Sequence, residues 1–254
     1  MENKNKIVLV TGGSRGLGKD MAFRLAEKGF NVVITYHTNQ EAASAVIAQL
    51  RQAGVKAAAL QLNAGDIKGF SRFYTQLKAV LHDTFSAEKF DFLVNNGGMG
   101  SQAPFADVKE EDFDELVNVH FKGVFFLTQQ ALPFLADGGG VINISSGLAR
   151  FSMPGSSAYA AVKGAVEVLT RYLAKELAPR GIRANTIAPG AIATDFRGGA
   201  VRDNEQVNKM VASVTALGRV GIAEDIGGVV AFLCSDDARW ITAQRIEVSG
   251  GMMI

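Results

Sequence analysis

Ile7-Val-Leu-Val-Thr-Gly-Gly-Ser-Arg-Gly-Leu-Gly18 is the stretch on which the fold turns. Its first part, Ile7 to Thr11, is a short β-branched and apolar run that reads as a strand, and the pattern after Gly16 reads as a helix to about Lys28, closed by Gly29. The glycines between them allow backbone N–H groups to close on an anion, and the helix N-terminus adds partial positive charge. Phosphate binding is the natural reading. Two other motifs overlap here. Gly13 to Lys19 nearly spells a P-loop, but Asp20 stands where Ser or Thr should hold magnesium. Gly12-Gly-Ser-Arg-Gly16 matches a hydrolase nucleophile elbow, yet the last of the three histidines, His120, leaves more than half the chain without one. A ligand-free glycine turn is the bland alternative, and the strict G-x-G-x-x-G fingerprint fails at Met21.

Outward from this segment, short apolar runs alternate with longer helical patterns, the form of repeated βαβ units and a mainly parallel sheet. Strands are expected at Asn31–Tyr36, 55–62, 90–94, 141–145, 183–188 and 244–248. Helices are expected near 40–53, 67–85, 157–178 and 223–234. A further helix starts at a capping-box pattern, Asp107 with Glu110, and runs to about Leu135, where Gly138-Gly-Gly140 breaks it. Residues 189–217 read as a long mobile insertion of the kind that covers a site in α/β enzymes.

The 254 residues are 48% hydrophobic and 20% charged, which excludes a disordered chain and predicts a sizeable core. Twenty-six basic and 25 acidic side chains leave a net charge of +1, so no global field recruits nucleic acid or anionic membrane. The single cysteine, Cys234, excludes an internal disulfide framework and a Cys-rich zinc site, and fits a reducing cytosol. No apolar run approaches a membrane helix, and the polar start lacks a signal-peptide core, so a cytoplasmic protein is expected. His37, His82 and His120 share no metal-ligand spacing.

Tyr159 and Lys163 are four positions apart on an expected helix and project from one face. An ammonium there favours the phenolate, and bringing a tyrosine from about 10 to about 7 takes roughly 4 kcal/mol. Taken with the glycine loop, this pair makes the sequence resemble the classical short-chain dehydrogenase/reductases. The motifs that carry the resemblance are Thr11-Gly-Gly-Ser-Arg-Gly-Leu-Gly18, Asn95-Asn-Gly-Gly98, Asn118, Ile144-Ser-Ser146, Tyr159-Ala-Ala-Val-Lys163, Pro189-Gly190 and Ser249-Gly-Gly251.

The resemblance implies one Rossmann-type doubly wound domain over residues 1–254, with a parallel seven-stranded sheet of order 3-2-1-4-5-6-7, helices on both faces and usually a homotetramer. It implies hydride transfer between NADP(H) and a small carbonyl or alcohol substrate. Tyr159 would donate the proton, Lys163 would bind the nicotinamide ribose, Ser146 would hold the carbonyl oxygen, and Asn118 would anchor a water relay to the lysine. Gly12, Ser14, Arg15, Gly16, Leu17, Gly18, Asn63, Asn95, Gly97, Pro189, Gly190, Ile192 and Thr194 would line or bind the cofactor. Gly98 stands where the family usually has alanine, and Asn63 where it usually has aspartate. Ser145 should point to the other face, toward packing.

No acid stands between Phe30 and Gln40; Tyr36 and His37 occupy the tip of the second strand and Arg15 sits in the glycine loop, which favours NADP(H) over NAD(H). Met99, Leu148, Phe151 and about residues 190–217 should shape an apolar substrate pocket. A 3-oxoacyl-(acyl-carrier-protein) reductase is the narrower alternative, with Arg180 compatible with carrier docking. A dinucleotide-binding regulator without chemistry is the alternative of another class.

Overall fold

A computed structural model of the chain describes Asn3 and residues 5–254; Met1, Glu2 and Lys4, part of the polar start, lie outside the described residues. Seven strands form one parallel sheet: β1 Ile7–Val10, β2 Asn31–Tyr36, β3 Ala57–Gln61, β4 Phe90–Asn95, β5 Leu135–Ile144, β6 Arg183–Pro189 and β7 Arg245–Val248. Their order is β3-β2-β1-β4-β5-β6-β7, as expected. Helices α1 Gly16–Glu27, α2 Gln40–Gln52, α3 Phe70–Val80, α4 Glu110–Val117, α5 Gly123–Ala131 and α6 Ser157–Glu176 follow the first five strands, α4 and α5 sharing the connection after β4. Beyond β6 come α7 Ala200–Asp203, α8 Glu205–Ser213 and α9 Glu224–Cys234.

The continuous apolar character of β1 follows from burial on both faces. Val8 and Val10 face a core shared with Met21 and Leu25 of α1, Val46 and Leu50 of α2, and Ile226 and Val230 of α9. Ile7 and Leu9 face a second core built with Phe73 and Leu77 of α3, Leu127 of α5, and Ala174 of α6. Each face buries apolar area worth roughly 25 cal/mol per Å². The strand order reverses between β1 and β4, and a crevice opens there beyond the carboxyl ends of the strands.

Four local expectations are corrected. Asp107 closes a short turn, Phe105–Asp107, and α4 starts after Lys109 with no side-chain cap; Glu110, Glu111 and Asp112 complement its N-terminus by charge alone. The helix expected to run to Leu135 is broken by a widened turn at Asn118–Lys122 and ends at Ala131. Gly138, Gly139 and Gly140 lie inside β5, because the register with β4 shifts between Phe90 and Phe92 and a β-carbon on Gly139 would overlap the Asp91 carbonyl. The 189–217 segment is structured: Asn204 caps α8 by accepting from the amides of Gln206 and Val207 at 3.0 and 3.1 Å.

Arg180 is also reassigned. It pairs with Asp137 at 2.7 Å and donates to the carbonyls of Leu132 and Leu135, fastening the amino-terminal end of β5, the end of the sheet away from the crevice. Among the described residues no helix is long and apolar enough to cross a membrane.

Candidate active site

The crevice holds a cavity of about 890 Å³, within the range of roughly 300–1,000 Å³ typical of ligand pockets. Its first wall is the glycine loop. Thr11 Oγ1 accepts from the amides of Asn96 and Gly97 at 2.9 and 2.8 Å, and Asn96 Nδ2 donates to the Thr11 carbonyl at 2.9 Å. The ends of β1 and β4 are thereby fixed together. Gly12 adopts φ +66°, and a β-carbon there would stand 2.8 Å from Gly97 Cα. The N-terminus of α1 carries no side-chain cap, and Ser14, Arg15, Gly16, Leu17 and Gly18 line the cavity beside it. Uncapped N–H groups, a left-handed Gly16 and open space suit a diphosphate. Tyr36 and His37 line the next stretch, and that wall has no carboxylate between Phe30 and Gln40. The residues present therefore fit a dinucleotide with a charged 2′ substituent.

Helix α6 brings Tyr159 and Lys163 to the opposite wall, with Ser146 beside them at the end of β5. Lys163 Nζ donates to the Ile144 carbonyl at 2.8 Å and stands 5.6 Å from the centre of the Tyr159 ring. Burial pushes this ammonium down to about 7. Burial pushes the Tyr159 phenol up to about 12, outweighing the Arg197 charge and the Ser146 hydroxyl, which favour the phenolate. Desolvation wins because Tyr159 is only 7% exposed. Ser146 Oγ also accepts from the Leu148 amide at 3.2 Å, which fixes its position.

Two residues at this centre were not legible as site residues. His120 is buried, and its ring meets the Tyr159 ring edge-on at 5.4 Å. Its Nε2 lies 2.6 Å from the Met99 carbonyl, the contact of an N–H donor, leaving Nδ1 buried without a partner. Burial first, and the Lys163 charge second, push the imidazole down to about 3, so it is neutral at physiological pH. Gly98 makes room for it, since a β-carbon there would overlap the His120 ring. The second residue is Arg197, whose guanidinium lies 5.3 Å from the centre of the Tyr159 ring. A spacing rule finds neither, because His120 arrives through the widened turn after α4 and Arg197 through a strained turn after β6.

Several expected positions are refined. Asn118 lines the cavity beside the Gly65 turn, and His120 is an additional residue that contacts Tyr159. Asn95 points into the sheet rather than lining the cleft, donating to Thr128 and Asn143 at 3.0 and 2.8 Å; its neighbour Asn96 lines the cavity instead. Strand alternation explains the swap. Asn63 accepts from the Gly65 amide at 3.0 Å, shaping its own turn within the cavity wall. Ser145 is not simply packed: it donates to Glu167 at 2.6 Å. Gly97, Pro189, Gly190, Ile192 and Thr194 line the cavity, as do Met99, Leu148 and Phe151. Among the described residues no group of three or more His, Cys, Asp or Glu could hold a metal ion.

Residues 12–253 match the family model described as enoyl-(acyl carrier protein) reductase. The chain is 38% identical over 249 residues to an uncharacterised oxidoreductase of Methylorubrum extorquens, covering 98% of each. It is 37% identical over 250 residues to the 3-oxoacyl-(acyl-carrier-protein) reductase of Staphylococcus aureus, covering 97% of this chain and 98% of the relative. Among solved structures, the promiscuous reductase LugOII, which catalyses keto-reduction at C1 during lugdunomycin biosynthesis, superposes with a TM-score of 0.94 at 38% identity over the whole of both chains. The angucycline C-6 ketoreductase LanV with bound NADP gives 0.93 at 34% identity, covering 99% of this chain and 97% of the other.

Proposed function

The chain belongs to the short-chain dehydrogenase/reductase family, and from that premise we propose that Tyr159 is the proton donor of its carbonyl reduction, with Ser146 and Lys163 as its partners. The protein is an NADP(H)-dependent oxidoreductase acting on a small-molecule carbonyl or the corresponding alcohol. When bound, the nicotinamide supplies or accepts the hydride. The observation that carries the residue assignment is that Tyr159, Lys163 and Ser146 share one cavity wall opposite an uncapped helix N-terminus.

Each side chain then has a task set by its surroundings. A phenol pushed up to about 12 stays protonated through the neutral range, so Tyr159 enters the reduction as the acid. The Ser146 hydroxyl, held by the Leu148 amide, faces the oxygen where negative charge develops. Lys163, anchored on the Ile144 carbonyl, binds the ribose and supplies charge toward the phenolate once the proton leaves. His120 positions Tyr159 and the Met99 backbone, while Asn118, on the wall of the same cavity, anchors a water relay to Lys163. Arg15, Tyr36 and His37 receive the 2′-phosphate, and the N-terminus of α1 receives the diphosphate. Asn63, Asn96, Gly97, Pro189, Gly190, Ile192 and Thr194 complete the cofactor wall.

The whole chain serves as one domain, with residues 190–217 as the substrate cover, in a cytoplasmic homotetramer. Exposed apolar residues on α4, α5 and α6 support the assembly. The narrower acyl-carrier reading loses Arg180 as a docking residue, because that side chain is committed to Asp137 and two carbonyls.

Replacing Tyr159 by Phe tests the assignment. We expect kcat/KM for ketone reduction with NADPH to fall by about 10²–10⁴-fold, the usual contribution of a general acid, with NADPH affinity by fluorescence titration largely retained. Undiminished turnover would remove Tyr159 from the chemistry.

A further inference from the structure

Three cations line the cavity: Arg15 in the glycine loop, Lys163 on α6 and Arg197 in the turn after β6. The reading above uses the first two and leaves the third without a task. Arg197 is held in place by several independent features. Its backbone is left-handed, with φ +53°, and Gly198 and Gly199 continue at +68° and +79°, a run that turns the side chain inward. Gly100 leaves room for its stem, since a β-carbon there would overlap Arg197 Cγ. One terminal nitrogen donates to the Ser101 carbonyl at 2.9 Å. Its Nε is buried and has no hydrogen-bond partner.

The charge of Arg197 is also unneutralised. Among the described residues no ion pair includes it, whereas Arg150, Arg202, Arg219 and Arg245 all meet carboxylates. The adjacent carboxylate, Asp195, is taken by Arg202. Glu111, Asp114 and Glu115 also line the cavity, but they share a face of α4 with Asn118, the residue beside Gly65, and pair with nothing on Arg197. A half-buried guanidinium that lines the cavity and meets no carboxylate is costly unless a ligand neutralises it. The same cavity also has apolar lining, Met99, Leu148, Phe151, Phe196, Met210 and Val211 among it.

We propose that Arg197 is the substrate-recognition cation of this site, selecting carbonyl compounds with an apolar body and an oxyanion, a carboxylate above all, a few bonds from the reacting carbonyl. The proposal rests on the carbonyl-reductase reading and adds the substrate class. The proximity of Arg197 to Tyr159 sets the reach: an anion bound to the guanidinium leaves the carbonyl of the same small molecule near the phenol and Ser146. The fork of donors favours a planar carboxylate over a point-like partner.

The test uses benzoylformate and its methyl ester, the same ketone with and without the charge, in wild type, Arg197→Gln and Arg197→Lys with NADPH. Arg197→Gln should raise KM for benzoylformate relative to the ester by roughly ten- to hundredfold, the range of a charge-assisted hydrogen bond; taken as the acid-to-ester ratio, the readout cancels any change at Tyr159 that both substrates share. Arg197→Lys should recover part of that loss. An unchanged acid-to-ester ratio overturns the proposal. So does an equal loss of kcat on both substrates, which would make the guanidinium a support for the Tyr159 ring. A binding arm separates this from the function itself: calorimetry of benzoate and benzamide on the NADPH complex should show benzoate favoured in wild type and the preference lost in Arg197→Gln. Failure to reduce the ester would overturn the reductase reading; failure of benzoate to bind better than benzamide would overturn the anion subsite.

Discussion

The least conspicuous residue in the site, Gly98, has the clearest physical explanation. Its missing β-carbon is the space occupied by the His120 ring, so the glycine reflects a contact. His120 in turn holds the Met99 backbone and flanks Tyr159. Gly98→Ala should therefore displace the imidazole, destabilise the fold by about 1–3 kcal/mol as overpacking does, and lower kcat more than it raises KM for NADPH. The double variant Gly98→Ala with His120→Asn, a shorter side chain, should recover most of the lost Tm. If Gly98→Ala is as stable and active as wild type by calorimetry and steady-state kinetics, the two positions are not coupled. The spacing of Tyr159 and Lys163 was legible in the sequence because one helical turn fixes it locally, whereas Ser146 followed from the family resemblance. The protonation of Tyr159 was not legible, since burial by Phe196 and Arg197 depends on a segment some forty residues downstream.

At the level of elements, the junction of β1 with α1 behaves as one rigid unit. A β-carbon on Gly18 would overlap the Gly12 carbonyl and stand 2.6 Å from Asn96 Nδ2. The glycine allows α1 to start against the loop and lets Asn96 tie both to β4. Gly18→Ala should push the helix N-terminus away from the loop and weaken NADPH binding at least about tenfold, a cost of roughly 1.4 kcal/mol, while Tm falls only modestly. Fluorescence titration together with thermal unfolding separates the two effects, and an unchanged NADPH affinity would show that this junction does not position the anion site. The broken α4–α5 helix illustrates the limit of periodicity. Its apolar pattern continues through Asn118–Lys122, but the widened turn is set by contact with the Ala64 carbonyl, where Gly123 has no β-carbon to collide. The three glycines of β5 mislead in the same way: they serve a register shift against β4, which no local rule anticipates.

Over the whole molecule, the surface keeps apolar area that the chain does not cover. Val168 and Tyr172 stand one turn apart on α6, with Phe113 on α4 and Phe125 on α5, all 39–64% exposed. Trp240 and Ile254, on the side of the edge strand β7, are more than 90% exposed. Exposed apolar residues of this kind are what the proposed tetramer would bury. Val168→Glu combined with Tyr172→Glu should halve the assembly, read by light scattering as dimers in place of tetramers, with the secondary structure unchanged by circular dichroism. A wild-type chain that is monomeric at micromolar concentration would contradict the assembly.

The strand order and the place of Ser146 were legible only through the family resemblance; the sequence by itself determined the alternation of strands and helices, the glycine loop and the one-turn spacing of Tyr159 and Lys163. These are local: a strand, a turn and a helical step place their residues within a few positions of one another, and parallel βαβ connections leave few topologies open. Only the tertiary structure decided which asparagine faces the cavity, that His120 stands against the phenol, and that Arg197 arrives over it as an unpaired cation. Those outcomes depend on register, burial and a left-handed turn, each fixed by contacts between segments far apart along the chain.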